Sequence, residues 1–134
     1  MNETAWRRPQ SLEEVARETI AQETTGPGDF NAMVAEFLDE FYSNPSYDRI
    51  AEEPPLMAGH FKKAGIADVH LAAVAESMAD RLGRPCPEWA EHRRMSHPCF
   101  AYDYPPLNEV LLRESPPAFR KRNLFVSENA LSRA

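Results

Sequence analysis

Residues 29–41, with the sequence DFNAMVAEFLDEF, contain the strongest structural pattern in this chain. Apolar residues recur at every third or fourth position, which places them on one face of a helix, with the acidic residues away from it. We predict a helix capped by Asp29 whose apolar face forms domain core rather than an exposed partner groove, since exposed patches of that size are rare on monomers. The face consists of Phe30, Met33, Val34, Phe37, Leu38 and Phe41.

Two further helices are predicted on either side of this stretch. Residues 11–14, SLEE, form a capping box, in which the Ser11 hydroxyl and the Glu14 carboxylate each accept a hydrogen bond from a free backbone N–H. The helix that follows should end before the turn residues at 24–28. Downstream, apolar residues at helical spacing predict a long helix that starts near Asp68 and stops at Gly83.

The remaining helices are predicted to be short, because 12 prolines interrupt the chain. We expect them at residues 47–52, from Pro87, at residues 107–114, and after Ser115, whose hydroxyl should cap the last one. The only β-like run, residues 124–126, is too short to build a sheet. The predicted fold class is therefore all-α, an irregular bundle of about five to seven short helices in a single domain.

Length and composition suit one domain in the cytoplasm. The 134 residues fit a single helical domain at residues 11–134, preceded by a flexible N-terminus at residues 1–10. No apolar run approaches the roughly 20 residues that cross a bilayer, and the first residues lack the apolar core of a signal peptide. Two cysteines do not make a disulfide framework. These features predict no membrane contact and a cytoplasmic location.

Charge is distributed unevenly along the chain. Residues 1–112 carry 10 Lys and Arg against 19 Asp and Glu, whereas the mildly basic tail, residues 113–134, carries 5 against 2. The net charge of −6 argues against nucleic acid as a partner. Binding of nucleic acid through the tail remains an alternative, because three adjacent basic residues lie beside Phe119 and Phe125.

Four residues that can bind zinc, Cys86, His92, His97 and Cys99, fall within fourteen positions. Their spacing does not match the tight ligand pairs of structural zinc sites, and neither cysteine has the sequence signature of a nucleophile. No glycine-rich phosphate loop is present. We therefore predict no metal, no cofactor and no catalytic residue, with a small enzyme or metal-binding protein built on this segment as the alternative.

Five stretches carry a family resemblance: residues 53–56 (EPPL), 71–76 (LAAVAE), 87–89 (PEW), 98–100 (PCF) and 114–133 (ESPPAFRKRNLFVSENALSR). The last is the most specific. From about residue 51 to the end, the chain resembles a group of small bacterial proteins defined by sequence pattern rather than by activity. These look like the small members of two-gene units whose other member resembles a nucleotidyltransferase, an arrangement typical of toxin and antitoxin. The resemblance implies a role in binding and no catalytic residues.

The sequence and this resemblance together predict a non-enzymatic protein-binding domain, the antitoxin-like partner of a nucleotidyltransferase-like toxin. Its acidic body suits the positively charged cleft expected of such a partner. The candidate partner-binding residues are Phe119, Arg120, Arg122, Asn123 and Phe125, since aromatic and arginine side chains contribute most at interface centres. In the alternative interpretation the same residues pin the tail to its own domain, with the two phenylalanines in the core and an arginine paired with an acidic helix face.

Overall fold

The computed structural model describes residues 8–21, 27–61, 63–102 and 104–132. Within these ranges the chain is mostly helical, which confirms the predicted all-α class. The helices are α1 (Leu12–Ala21), α2 (Pro27–Ser43), α3 (Asp48–Ala51), α4 (Ala64–Leu82), α5 (Glu88–Glu91), α6 (Asn108–Glu114) and α7 (Pro117–Arg120). A 3₁₀ turn at Pro105–Leu107 leads into α6, and two short strands, β1 (Cys99–Phe100) and β2 (Leu124–Phe125), pair with each other.

The first helix begins as its capping box predicts. The Ser11 hydroxyl accepts a hydrogen bond from the Glu14 N–H at 3.2 Å, and the Glu14 carboxylate accepts one from the Gln10 N–H at 3.0 Å. The Glu14 N–H is one of the donors that the first turn leaves without a helical partner, whereas the Gln10 N–H lies just before the helix. Helix α1 then packs against α2. Of the predicted turn at residues 24–28, residues 24–26 lie outside the described part of the chain.

Helix α2 starts at Pro27, so the prediction that Asp29 caps it was wrong. Proline suits the first turn of a helix because its missing N–H is not needed there and its φ is already helical. All six residues of the predicted apolar face are buried, none more than 8% exposed. The face therefore forms core, as the pattern indicated.

Helix α4 lies at the centre of the core, where Leu71 and the four residues that follow it are completely buried. It starts at Ala64 rather than near Asp68, which corrects the predicted start. The Asp68 carboxylate instead accepts hydrogen bonds from the backbone N–H groups of Met57 and Ala58 at 2.6 and 3.1 Å, and so ties the preceding loop to the helix. The helix ends at Gly83 in the left-handed conformation, φ 67°, as predicted.

The C-terminal tail folds back onto the domain. Helix α7 begins at Pro117, and the Ser115 hydroxyl does not cap it, contrary to the prediction. This hydroxyl accepts a hydrogen bond from the Val126 N–H at 2.7 Å and also lies 2.9 Å from the Leu111 carbonyl oxygen. Strand β2 pairs in parallel with β1, Cys99 opposite Leu124, so the run judged too short for a sheet forms a two-residue pair.

The ends of the chain are only partly described. Residues 1–7 of the predicted flexible N-terminus lie outside the described part, as does Arg133 of the tail. Arg8 pairs with Glu36 on α2 at 3.1 Å, and the Gln10 carbonyl accepts a hydrogen bond from Arg49 at 2.9 Å. None of the helices in the described ranges combines the length and the apolar character that crossing a bilayer requires.

Candidate functional site

A buried arginine holds the tail against α4. Arg122 is 2% exposed, and its Nη1 donates to a Glu76 carboxylate oxygen at 2.6 Å and to the Ala118 carbonyl at 2.8 Å. Its Nη2 donates to the Ala90 carbonyl of α5 at 2.9 Å. One side chain thus joins α4, α5 and α7, while its Nε has no hydrogen-bond partner among the described residues.

Glu76 is the acidic centre of this contact. Burial alone would raise the pKa of its carboxyl group, but hydrogen bonds and charge from Lys121 and Arg122 outweigh burial and lower the pKa. The second carboxylate oxygen accepts a hydrogen bond from Lys121 at 2.8 Å. The neighbouring Cys86 thiol has a raised pKa, because burial and the Glu76 charge outweigh the attraction of Arg122. At neutral pH Glu76 is therefore ionised and paired, and Cys86 is a thiol.

The five candidate partner contacts of the tail are distributed between interior and surface. Phe119, Arg122 and Phe125 are buried, with exposures of 0%, 2% and 7%. Asn123 is partly buried, adopts the left-handed conformation with φ 63°, and donates to the Met95 carbonyl at 3.0 Å. Arg120 is exposed. In this conformation the buried three are out of a partner's reach, so the alternative interpretation, a tail pinned to its own domain, describes the geometry.

The four residues tested for zinc binding have different neighbours. Cys86 lies beside Arg122 and Glu76, whereas Cys99 belongs to β1. His92 is exposed, and the His97 ring pairs with the adjacent Ser96 hydroxyl at 3.0 Å. Across the described ranges, no three His, Cys, Asp or Glu side chains are grouped as metal ligands.

The docked tail forms one wall of a groove with a volume of about 700 Å³. The groove runs between α2 and α4 on one side and the segment from β1 through β2 to residue 132 on the other. Both walls are mainly apolar or aromatic. Residues on the helical wall include Phe30, Val34 and Ile66. Those on the opposite wall include Phe100 of β1 and Leu124 and Val126 of the tail.

His70 on α4 lies in the wall of this groove, between two aromatic rings. Its imidazole meets Phe30 edge-on at 5.5 Å and Phe119 at 4.9 Å between centroids. Burial lowers its pKa to about 4, so the ring is neutral at physiological pH. No hydrogen bond joins it to any described residue. A neutral imidazole has one donor and one acceptor nitrogen, and His70 is among the residues that line the groove.

The mouth of the groove adjoins what we call the apolar strip, defined as Tyr102, Tyr104, Leu107 and Leu112. These residues are 50%, 58%, 38% and 46% exposed, and they include four of the five large exposed apolar residues in the described chain. Both tyrosines also line the groove. None of these four residues was among the candidate contacts predicted from the sequence, and the signal for them is the run of aromatics and prolines at residues 102–106.

Comparisons of the chain with known protein-family models, with curated proteins and with solved structures gave no match.

Proposed function

We propose that this chain is a non-enzymatic protein-binding domain and that the apolar strip is its contact surface. The observation that carries the proposal is the concentration of exposed Tyr and Leu side chains between residues 102 and 112. Soluble monomers expose few large apolar groups in one place, and such places commonly bind other proteins. Tyrosine adds a large contact area at a low entropic cost.

The partner that fits this surface is a nucleotidyltransferase-like protein with a basic, partly apolar cleft. Exposed carboxylates of Glu109 and Glu114 lie on the same helix as Leu112, and the chain up to residue 112 is strongly acidic. Opposite charge speeds association and suppresses wrong partners. The family resemblance supports the same partner, with this chain in the antitoxin-like role. The two cysteines, both free, suit the reducing cytoplasm as the place of action.

A binding role also agrees with the chemistry near the strip. His70 has apolar rings as neighbours rather than a carboxylate that would orient it, and a pKa of about 4 makes it a weak base at pH 7. The described residues that line the groove include neither a carboxylate nor a thiol. These residues, the lining of the groove with its neutral histidine, favour recognition over bond-breaking chemistry.

The test is a pair of matched leucine substitutions measured against the nucleotidyltransferase-like protein encoded beside such genes. We expect Leu112→Asp to weaken binding at least about tenfold, because it removes apolar contact and buries a charge. Leu56→Asp is the control, since Leu56 is 58% exposed but lies outside the strip. Titration calorimetry gives both affinities. No binding by the unmodified chain, or equal losses in the two variants, would overturn the proposal.

A further inference from the structure

The groove has the size and composition of a small-molecule site, and it shares only Tyr102 and Tyr104 with the protein contact proposed above. Its volume of about 700 Å³ lies within the roughly 300–1,000 Å³ typical of such sites. Aromatic rings line both walls, among them Phe30 and Phe61 on one side and Phe100, Tyr102 and Tyr104 on the other. Walls that carry aromatic rings favour a flat apolar body that can stack on them or meet them edge-on.

The polar groups of the groove indicate the charge of that body. Lys63 is the one charged side chain among the described residues that line the groove, and it is exposed at the start of α4. Ile66 and Ala67, in the first turn of the same helix, also line the groove. The N-terminal end of a long helix carries partial positive charge, which adds to that of the lysine. Lys63 and this helix end therefore place positive charge at one end of the groove.

His70 and the amide side chains supply directional contacts. The imidazole makes no hydrogen bond to a described residue, and three asparagines, Asn31, Asn108 and Asn129, line the groove as well. Neutral donors and a single cation suit one negative charge rather than the several charges of a polyphosphate.

We propose that the groove binds a small aromatic carboxylate, whose ring lies between the aromatic walls beside His70 and whose carboxylate meets Lys63 and the first turn of α4. The site extends beyond the protein-binding role, because it uses residues on α2 and α4 that lie outside the apolar strip. A ligand of this class would contact both the helical wall and the docked tail.

The experiment compares three ligands that share a ring system and differ in charge: 1-naphthoate, 1-naphthylmethanol and 1-naphthylmethylamine. Titrations monitored by amide chemical shifts give the dissociation constant and locate the perturbed residues. We expect 1-naphthoate to bind about tenfold more tightly than the alcohol, with the amine weakest. The preference for the anion should shrink as salt is raised, because salt screens exposed charges.

Three variants assign the binding to the groove and to its cation. Asn31→Trp, at an exposed position of α2 that lines the groove, should block all three ligands. Lys63→Glu should abolish the preference for naphthoate, and Lys63→Met serves if that variant does not fold. Arg94→Glu is the matched control, an equal change of charge at an exposed residue outside the groove lining, and should preserve the preference.

Each outcome supports or overturns a particular part of the proposal. Equal binding of the three ligands, or a preference for naphthoate that survives the Lys63 variants, overturns the carboxylate assignment. Failure of all three to bind overturns the site itself. Neither result touches the protein-binding proposal, which is judged from Leu112→Asp with the protein partner.

Discussion

The helical core is held together mainly by apolar burial, whereas the docked tail is also held by buried hydrogen bonds. The core around α2 and α4 is formed by apolar faces such as Phe37, Phe41 and Leu71, which are at most 1% exposed. The tail buries Phe119 and Leu124 in the same core and is positioned in addition by directional bonds from Arg122 and Ser115 to carbonyl and carboxylate oxygens. Apolar burial tolerates many arrangements, whereas a buried hydrogen-bonded side chain has one acceptable position.

The largest effect should come from removing the polar anchor. We expect Arg122→Ala to lower the free energy of unfolding by about 3–5 kcal/mol, because it leaves Glu76 partly unpaired and deprives two buried carbonyls of a donor. Urea unfolding measures the loss. Hydrogen exchange should quicken at Cys99 and Ala101, whose N–H groups donate to the tail.

The matched control for this variant is the adjacent Lys121→Ala. Lys121 binds the same carboxylate at 2.8 Å, but its side chain is 59% exposed. Exposed ion pairs contribute about 1 kcal/mol or less. Equal losses from Arg122→Ala and Lys121→Ala would contradict the view that a buried anchor holds the tail.

A cavity in the helical core should destabilise the whole domain, whereas loss of the Arg122 anchor should mainly release the tail. Leu71 is fully buried at the centre of α4, so Leu71→Ala should cost about 3 kcal/mol through lost burial and an unfilled cavity. Hydrogen exchange in Leu71→Ala should quicken throughout the helices rather than mainly in the tail. Leu56→Ala, at an exposed leucine, should change stability by about 0.5 kcal/mol or less. If Leu71→Ala released only the tail, the comparison of the two regions would fail.

Periodicity predicted the helical core because the grouping of apolar residues on one helix face depends only on their spacing along the chain. The faces of α1, α2 and α4 and the stop at Gly83 were all readable in this way. The starts of α2 and α4 were not, since α2 begins at Pro27 and α4 follows Lys63, whose backbone is left-handed and whose side chain makes no capping hydrogen bond. Asp68 has the chemistry of a cap, but its carboxylate binds the loop that precedes the helix.

The candidate site depends on contacts between distant residues, which one sequence does not reveal. Arg122 meets a carboxylate 46 positions away, and His70 acquires its environment from Phe30 and Phe119. The basic tail was predicted with two interpretations, interface or internal anchor, because arginine and phenylalanine serve both. Only the fold brings Glu76 beside Arg122, a contact that the sequence does not reveal.

A smaller effect is expected from the second polar contact of the tail. Ser115→Ala removes the acceptor of the buried Val126 N–H at 2.7 Å, and we expect a loss of about 2 kcal/mol. Ser96→Ala, at an exposed serine bonded to His97, is the control and should change stability by about 0.5 kcal/mol or less. Thermal melts of both variants separate the cases. Similar melting temperatures would show that Ser115 contributes no more than a surface hydroxyl.

The smallest effect tests the contact between the two regions, at His70. Burial lowers its pKa from 6.5 to about 4, so the unfolded chain takes up this proton at a higher pH than the folded chain does. The contribution of the neutral His70 to the free energy of unfolding is therefore complete above pH 6.5. It decreases as the pH falls towards 4, by about 1 kcal/mol between pH 7 and 5.5. Glu76 has a lowered pKa and loses its contribution only below about pH 4.5, outside this window. Urea unfolding at both pH values should show a flatter dependence for His70→Phe, which keeps a ring against Phe30 and Phe119. A slope that survives in His70→Phe would mean that His70 is not the group that makes stability depend on pH between 7 and 5.5.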